Sequence, residues 1–145
     1  TLQADLERVA EEVAIATGRN DISVHMQIDG SVVCDPGRLS QLLANLLTNA
    51  AQHGERSAAV SLKVHTASNR LTLGVHNAGC IPPDRLGAIF SPFSREQGEL
   101  PRPGLGLGIY IASEIARSHG GTLSVESTES AGTLFTFQMP LADLQ

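Results

Sequence analysis

Residues 35–54 read Asp35-Pro-Gly-Arg-Leu39-Ser-Gln41-Leu-Leu-Ala-Asn45-Leu-Leu-Thr-Asn49-Ala-Ala-Gln52-His53-Gly54. Asp35 is a favourable helix N-cap, Pro36 suits the first helical turn, and Gly54 is a common stop signal. The leucines recur at three- and four-residue steps, which predicts one apolar helix face. A polar stripe follows the same spacing: Asn45, Asn49, Gln52 and His53.

The polar stripe has two interpretations. It is either the solvated side of an amphipathic helix or a set of ligand-binding side chains. Asparagine is a poor residue for helix interiors, so the pair Asn45 and Asn49 favours a function, such as offering a carbonyl oxygen to magnesium.

The region before this helix predicts one further helix and a hairpin. Residues 2–15 carry apolar side chains at helical spacing, and Gly18 and Asn20 follow as stop signals. Residues 22–28 alternate apolar and polar side chains, which predicts a half-buried strand. The turn at Asp29-Gly30 and a second short run at residues 31–34 predict that this strand forms a hairpin.

The region after the helix predicts two more hairpins and a third helix. Alternating runs at residues 59–65 and 70–76 form one predicted hairpin, and residues 122–127 and 133–139 form the other. Residues 105–119 have helical periodicity that ends at Gly120-Gly121. Residues 78–104, rich in proline and glycine around a helical patch at 84–90, predict a functional loop.

The element order predicts a two-layer α+β sandwich, with a mixed, largely antiparallel sheet and helices on one face. The length of 145 residues and the hydrophobic content of 41% fit a single domain over residues 1–145.

Charge and cysteine content exclude several classes of protein. Lysine and arginine total 10 and the formal net charge is −5, so neither nucleic acid nor direct membrane contact is expected. Cys34 and Cys80 fit no metal-ligand spacing and no disulfide framework, which favours a reducing cytoplasm. No apolar run reaches the length of a membrane span and no signal peptide is present, so any anchor of a parent protein is expected elsewhere.

Two further motifs are candidates for ligand binding. The first is Leu73-Gly-Val75-His76-Asn77-Ala78-Gly79-Cys80-Ile81-Pro82, where a strand ends in an amide and a glycine and either meets a flat ligand or simply turns. The second is Gly104-Leu-Gly106-Leu-Gly108, which opens a helix. Backbone amides at such a start bind phosphate, although glycines there also serve close packing.

In this order and spacing the motifs resemble the nucleotide-binding domain of sensor histidine kinases, within the group that also contains gyrase, Hsp90 and MutL ATPases. Residues 35–54 look like the family's asparagine box. Phe90-Ser-Pro-Phe93 looks like its phenylalanine box, and residues 104–111 with His119-Gly-Gly look like its second glycine box. The amino-acid sequences of residues 75–79 and 104–112 are most similar to those of bacterial phytochrome-like kinases.

The resemblance implies a Bergerat-type fold with ATP between the helices and a flexible ATP lid. It implies that Asn49 ligates magnesium and that Asn45, the second catalytic residue, lies near the phosphates. Asn77 would face the adenine amino group, with Gly79 allowing the base to approach. The remaining residues of the implied ATP site are Gln52, His53, Ile81, Phe90, Phe93, Arg102, Gly104, Leu105, Gly106, Leu107 and Gly108.

The chain departs from the family pattern at three places. Most members have aspartate at the position of Asn77 and a longer turn, whose second glycine is missing here. An amide accepts from adenine without the charge-assisted part of the bond, a loss of ~1 kcal/mol, or about fivefold in affinity. Gln52 stands where many relatives have lysine, and Arg102 replaces a glycine.

The resemblance implies transfer of the γ-phosphoryl group of Mg-ATP to a histidine on a partner helix, with a response regulator downstream. None of the five histidines has the His-Asp/Glu-Leu-Arg surroundings of the acceptor. The dimerisation and phosphoacceptor helices are therefore expected outside this chain.

Two alternatives remain open. A gyrase- or Hsp90-like ATPase would carry a glutamate as general base for water one turn before the magnesium asparagine, but this chain has Asn45, which accepts no proton at neutral pH. A degenerate nucleotide-binding or regulatory module, a pseudokinase, is the other, kept open by the Asn77 turn, Gln52 and Arg102.

Overall fold

The computed structural model describes residues 1–55, 57–91 and 107–141. Its helices and strands are, in chain order, α1 (Leu2–Thr17), β1 (Ile22–Gln27), α2 (Pro36–His53), β2 (Val60–Ala67), β3 (Arg70–Asn77), α3 (Pro83–Leu86), α4 (Gly108–Ser118), β4 (Thr122–Thr128) and β5 (Gly132–Pro140). The five strands of these ranges form one sheet in the order β1-β2-β3-β5-β4. The β1–β2 pair is parallel and the other pairs are antiparallel, so the predicted mixed, largely antiparallel sheet is confirmed.

The first predicted hairpin is wrong. Residues 31–34 form no strand, and β1 pairs instead with β2, from Ile22 opposite Val60 to Gln27 opposite His65. Strand alternation identifies a strand but not its partner. Parallel pairing requires a crossover connection, and the helix α2 between the two strands provides it. The chain beyond β1 is tied to β2 by the Asp29 amide, which donates to the Thr66 hydroxyl at 3.0 Å.

The other two hairpins are confirmed, with strands one or two residues longer than predicted at some ends. Ser68 and Asn69 turn between β2 and β3 with φ of 53° and 61°. Positive φ at both central residues is the backbone of a two-residue hairpin turn, whose twist matches that of the strands.

The helix ends follow the capping signals in the sequence. The Asp35 side chain accepts from the Arg38 amide, with Pro36 in the first turn of α2. At the end of α4, Gly120 adopts a φ of 69°. Its amide donates to the Arg117 carbonyl and the Gly121 amide donates to the Ala116 carbonyl, the two bonds of a Schellman cap. The helical patch predicted at 84–90 is shorter, with α3 ending at Leu86 and turns continuing to Phe90.

One face of the sheet packs on the helices, as predicted. Alternate residues of the inner strands are buried there, including Leu62, Leu73 and Phe137. They meet the leucine face of α2, together with Leu6 of α1 and Ile115 of α4. None of the helices in the described ranges combines the length and apolar character that a membrane crossing requires.

Candidate functional site

The polar stripe of α2 lies at the surface between two other elements of the fold. Asn45 and Asn49 are half-buried, whereas Gln52 and His53 are exposed. Along a helix with a rise of 1.5 Å per residue, the stripe from Asn45 to His53 spans about 12 Å. Each end of the stripe contacts a different neighbouring segment.

The first end of the stripe meets the start of α4. The Asn45 side-chain amide donates to the Gly108 carbonyl at 3.1 Å. A Cβ on Gly108 would lie 3.8 Å from the Asn45 Cβ, which is ordinary contact. Leu107 precedes α4, and its carbonyl accepts from the Ile111 amide. Because Asn45 of α2 bonds to Gly108, the first amides of α4 lie beside α2.

Asn49 occupies the middle of the stripe, one turn after Asn45. Its side chain makes no hydrogen bond with any other residue that the structure describes. A half-buried amide oxygen without a protein partner is suited to accept a ligand. The described ranges contain no cluster of three or more histidine, cysteine or acidic side chains that could hold a metal by themselves.

The second end of the stripe meets the turn that follows β3. Asn77 is the last residue of β3, is 4% exposed, and donates from Nδ2 to the Ala78 carbonyl at 3.0 Å. Gly79 adopts a φ of 123°, and a Cβ there would lie 3.4 Å from the His53 carbonyl. The turn therefore requires glycine for its backbone conformation and for its closeness to α2.

Gly54 makes the contact between α2 and this turn. A Cβ on Gly54 would lie 2.5 Å from the Ala50 carbonyl and 2.9 Å from the Asn77 Cβ, closer than real Cβ atoms come. The next amide, of Glu55, donates to the Ala78 carbonyl at 2.9 Å. The sequence identified Gly54 only as a helix stop, because its steric role depends on β3.

A hydroxyl network holds the other side of the turn, and sequence reasoning missed it. Thr133 is 2% exposed and donates to the Gly79 carbonyl at 2.8 Å. The Ser127 hydroxyl bonds with that of Thr133 at 2.7 Å and accepts from the Ile81 amide at 2.8 Å. Nothing in the sequence indicated this network, because the predicted pairing of β4 with β5 does not show that the turn after β3 lies beside them.

Phe90 packs its ring edge-on against Phe135 of β5, with centroids 6.3 Å apart and an interplanar angle of 83°. This contact packs Phe90 against the sheet, and its role in an ATP site stays a prediction. Residues 92–104 of the loop predicted at 78–104 lie outside the described residues. Five predicted site residues also lie outside them: Phe93, Arg102, Gly104, Leu105 and Gly106.

Comparisons with known proteins show the family and the fold of the chain. The model of the histidine kinase-, DNA gyrase B- and HSP90-like ATPase family matches residues 34–143. The sensor protein TorS of Escherichia coli (strain K12) is 37% identical over 108 residues, which are 74% of this chain and 12% of TorS. The chain thus spans only a small part of that relative.

Two solved structures have the same fold. The nucleotide-free catalytic domain of the histidine kinase ThkA has a TM-score of 0.71 at 27% identity, covering 94% of this chain and 93% of that one. Full-length ShkA in complex with AMPPNP has a TM-score of 0.78 at 26% identity, covering 98% of this chain and 30% of that one. The narrower resemblance to phytochrome-like kinases stays a prediction. The chain belongs to the histidine kinase-, DNA gyrase B- and HSP90-like ATPase family, with the fold of histidine kinase catalytic domains.

Proposed function

We propose that this chain is the ATP-binding catalytic domain of a two-component sensor histidine kinase. In this proposal it transfers the γ-phosphoryl group of Mg-ATP to a histidine on a separate dimerisation helix. The observation that carries the proposal is the arrangement along α2. Asn45 meets the start of α4, the Asn49 side chain bonds to no described residue, and the end of the helix packs on the Asn77 turn. The sensor-kinase relatives and the AMPPNP complex of ShkA support it.

The Asn77 turn would hold the adenine. Because Asn77 uses Nδ2 to donate to the Ala78 carbonyl, its Oδ1 remains to accept from an exocyclic amino group. Gly79 has no side chain to block the approach of a flat base. The amide replaces the carboxylate of most relatives and gives the same direction of hydrogen bonding without the added charge.

The phosphates would lie between Asn49 and the start of α4. Free backbone amides and the positive end of the helix dipole favour anions there, and the Asn45 bond to Gly108 fixes that helix start beside α2. Asn49 is a suitable magnesium ligand because its neutral side-chain oxygen would fill one coordination position of the ion. The phosphates of the nucleotide would fill others. Bound magnesium would neutralise phosphate charge during transfer.

Catalysis would consist mainly of positioning. Asn45 accepts no proton at neutral pH, so it gives water no general base, and a histidine brought by the partner helices is the better nucleophile. The partners in this proposal are therefore the dimerisation helices of the parent kinase and a downstream response regulator. The proposed location of the domain is the cytoplasm.

Calorimetric titration of the chain with ATP, with and without magnesium, tests the binding step. We expect binding of ATP that magnesium strengthens, and a smaller effect of magnesium on ADP. A chain that binds no adenine nucleotide under either condition would contradict the proposal.

A further inference from the structure

Arg19 is the only charged side chain among the described residues that is buried, with 5% of its surface exposed. It follows Gly18, the left-handed cap of α1, and its own amide donates to the Ala14 carbonyl at 3.0 Å. The end of α1 thus fixes its backbone, and the side chain extends away from α1 to residues 51–58.

All five N–H groups of the guanidinium are used. Nε donates to the Ala51 carbonyl at 3.1 Å, and one terminal nitrogen donates to the carbonyls of Gly54 at 3.2 Å and Glu55 at 3.0 Å. The other terminal nitrogen donates to the Ala58 carbonyl at 3.0 Å and pairs with Asp21 at 3.2 Å.

These acceptors lie directly behind the adenine side of the site. Gly54 packs on Asn77, and the Glu55 amide donates to the Ala78 carbonyl. The carbonyl of Ala51 belongs to the last turn of α2, where a cation is favourable to the helix dipole. The same short segment is therefore bonded on one side to Arg19 and on the other to the Asn77 turn.

We propose that Arg19 is a positioning residue for adenine recognition, acting through residues 54–55 on the Asn77 turn. This proposal rests on the proposed function. Lysine cannot replace the guanidinium, because an ammonium has three donors on a single atom and cannot reach acceptors spread over the fork. Its substitution leaves buried carbonyls without a donor.

The test compares ADP with inosine diphosphate, which lacks the exocyclic amino group. We expect the wild-type chain to prefer ADP, and Arg19→Lys to reduce that preference by about three- to tenfold. In the Asn77→Ala variant, adding Arg19→Lys should reduce the preference for ADP only a little further, because the two residues act on one contact. A merely structural role would leave the preference for ADP unchanged in Arg19→Lys.

Two control variants separate this effect from loss of stability. Val9→Ala trims a buried side chain of α1, ten residues before Arg19, and it should lower thermal stability without changing the preference for ADP. Asp21→Asn keeps the carbonyl bonds of Arg19 and should also keep the preference. Exchange of the Glu55 amide in the nucleotide-free chain gives a second readout, expected to be faster in Arg19→Lys than in Val9→Ala. This readout needs no nucleotide.

The outcomes distinguish the two proposals. A wild-type chain that binds neither diphosphate contradicts the proposed function and this inference with it. A wild-type chain that prefers ADP, together with an Arg19→Lys variant of equal preference and unchanged Glu55 exchange, overturns the role of Arg19 alone. If Arg19→Lys unfolds while Val9→Ala stays folded with the same preference, Arg19 serves stability and the inference fails.

Discussion

The two asparagines of α2 differ in what their side chains do, although the sequence presents them as a repeated pair. The amide nitrogen of Asn45 donates to the Gly108 carbonyl, whereas the Asn49 side chain bonds to no described residue. An amide that bonds to no described residue is the better candidate for a metal ligand, and a paired amide is the better candidate for fixing the helix. The geometry thus supports separate roles for the two residues.

Asn49→Ala tests the metal role. We expect it to weaken Mg-ATP binding by at least about tenfold, or ~1.4 kcal/mol, and to change metal-free ADP binding far less, since only the former uses the amide oxygen. Isothermal titration calorimetry measures both affinities. Gln41→Ala, an exposed change on the same helix, is the control and should leave both unchanged. Equal losses for the two ligands in Asn49→Ala would remove Asn49 from the metal.

The two cysteines should differ in reactivity. Burial raises the pKa of the Cys34 thiol, and the carboxylates of Asp35 and Asp5 raise it further, while Cys80 is exposed. Because the thiolate is the nucleophile, iodoacetamide at pH 8 should label Cys80 before Cys34. Peptide mass spectrometry reads both sites, with Cys80→Ser as the control. Faster labelling of Cys34 in the folded chain would contradict this assignment.

Because the pKa of Cys34 is raised, the free energy of unfolding should depend on pH. A thiol whose pKa is higher in the folded chain stays protonated there after it has ionised in the unfolded chain. Its contribution is fully present below the unfolded value of about 9 and is lost as pH rises from that value through the raised pKa of the folded chain. Replacing Cys34 by serine should remove this part of the alkaline loss in urea unfolding.

At the scale of the elements, the sequence predicted what local chemistry determines and missed what tertiary contacts determine. Capping residues at Asp35 and Gly120 and the alternation in β2–β5 indicated the helices and hairpins correctly. The partner of β1 could not be predicted, because it depends on where α2 packs. Arg19 and Thr133 were missed for the same reason, since the backbone carbonyls that accept from them lie 32 or more residues away in sequence.

The junction between α2 and β3 gives a prediction at this scale. Gly54→Ala should destabilise the chain by roughly 1–3 kcal/mol, because its Cβ would press on the Ala50 carbonyl and on Asn77. The matched control is Gly37→Ala in the first turn of α2, where a Cβ meets only Asp35 at 3.5 Å. Since alanine has the higher helix propensity, Gly37→Ala should keep or raise stability. Urea unfolding measures the stability of the two variants. If Gly54→Ala is as stable as Gly37→Ala, the junction accommodates the added Cβ without a loss of stability.

For the molecule as a whole, the sheet and its three longer helices form a frame that brings the ends of several elements to one side of α2. In the proposed site, β3 and β5 would form the base side and α4 the phosphate side, so the site would exist only in the assembled fold. The family membership and the fold were correctly predicted from residues 35–54 and the two glycine-containing motifs. The departures at Asn77, Gln52 and Arg102 make phosphoryl transfer the step to measure.

Phosphoryl transfer in the presence of the parent protein's dimerisation helices is therefore the most direct measurement. With γ-labelled ATP and magnesium, we expect slow phosphate release by this chain alone and, with the helices restored, a base-stable, acid-labile phosphohistidine that Asn49→Ala abolishes. Rapid hydrolysis by the chain alone would instead support a gyrase- or Hsp90-like ATPase. Nucleotide binding without any phosphohistidine would identify a regulatory binding module and contradict the kinase function proposed for this protein.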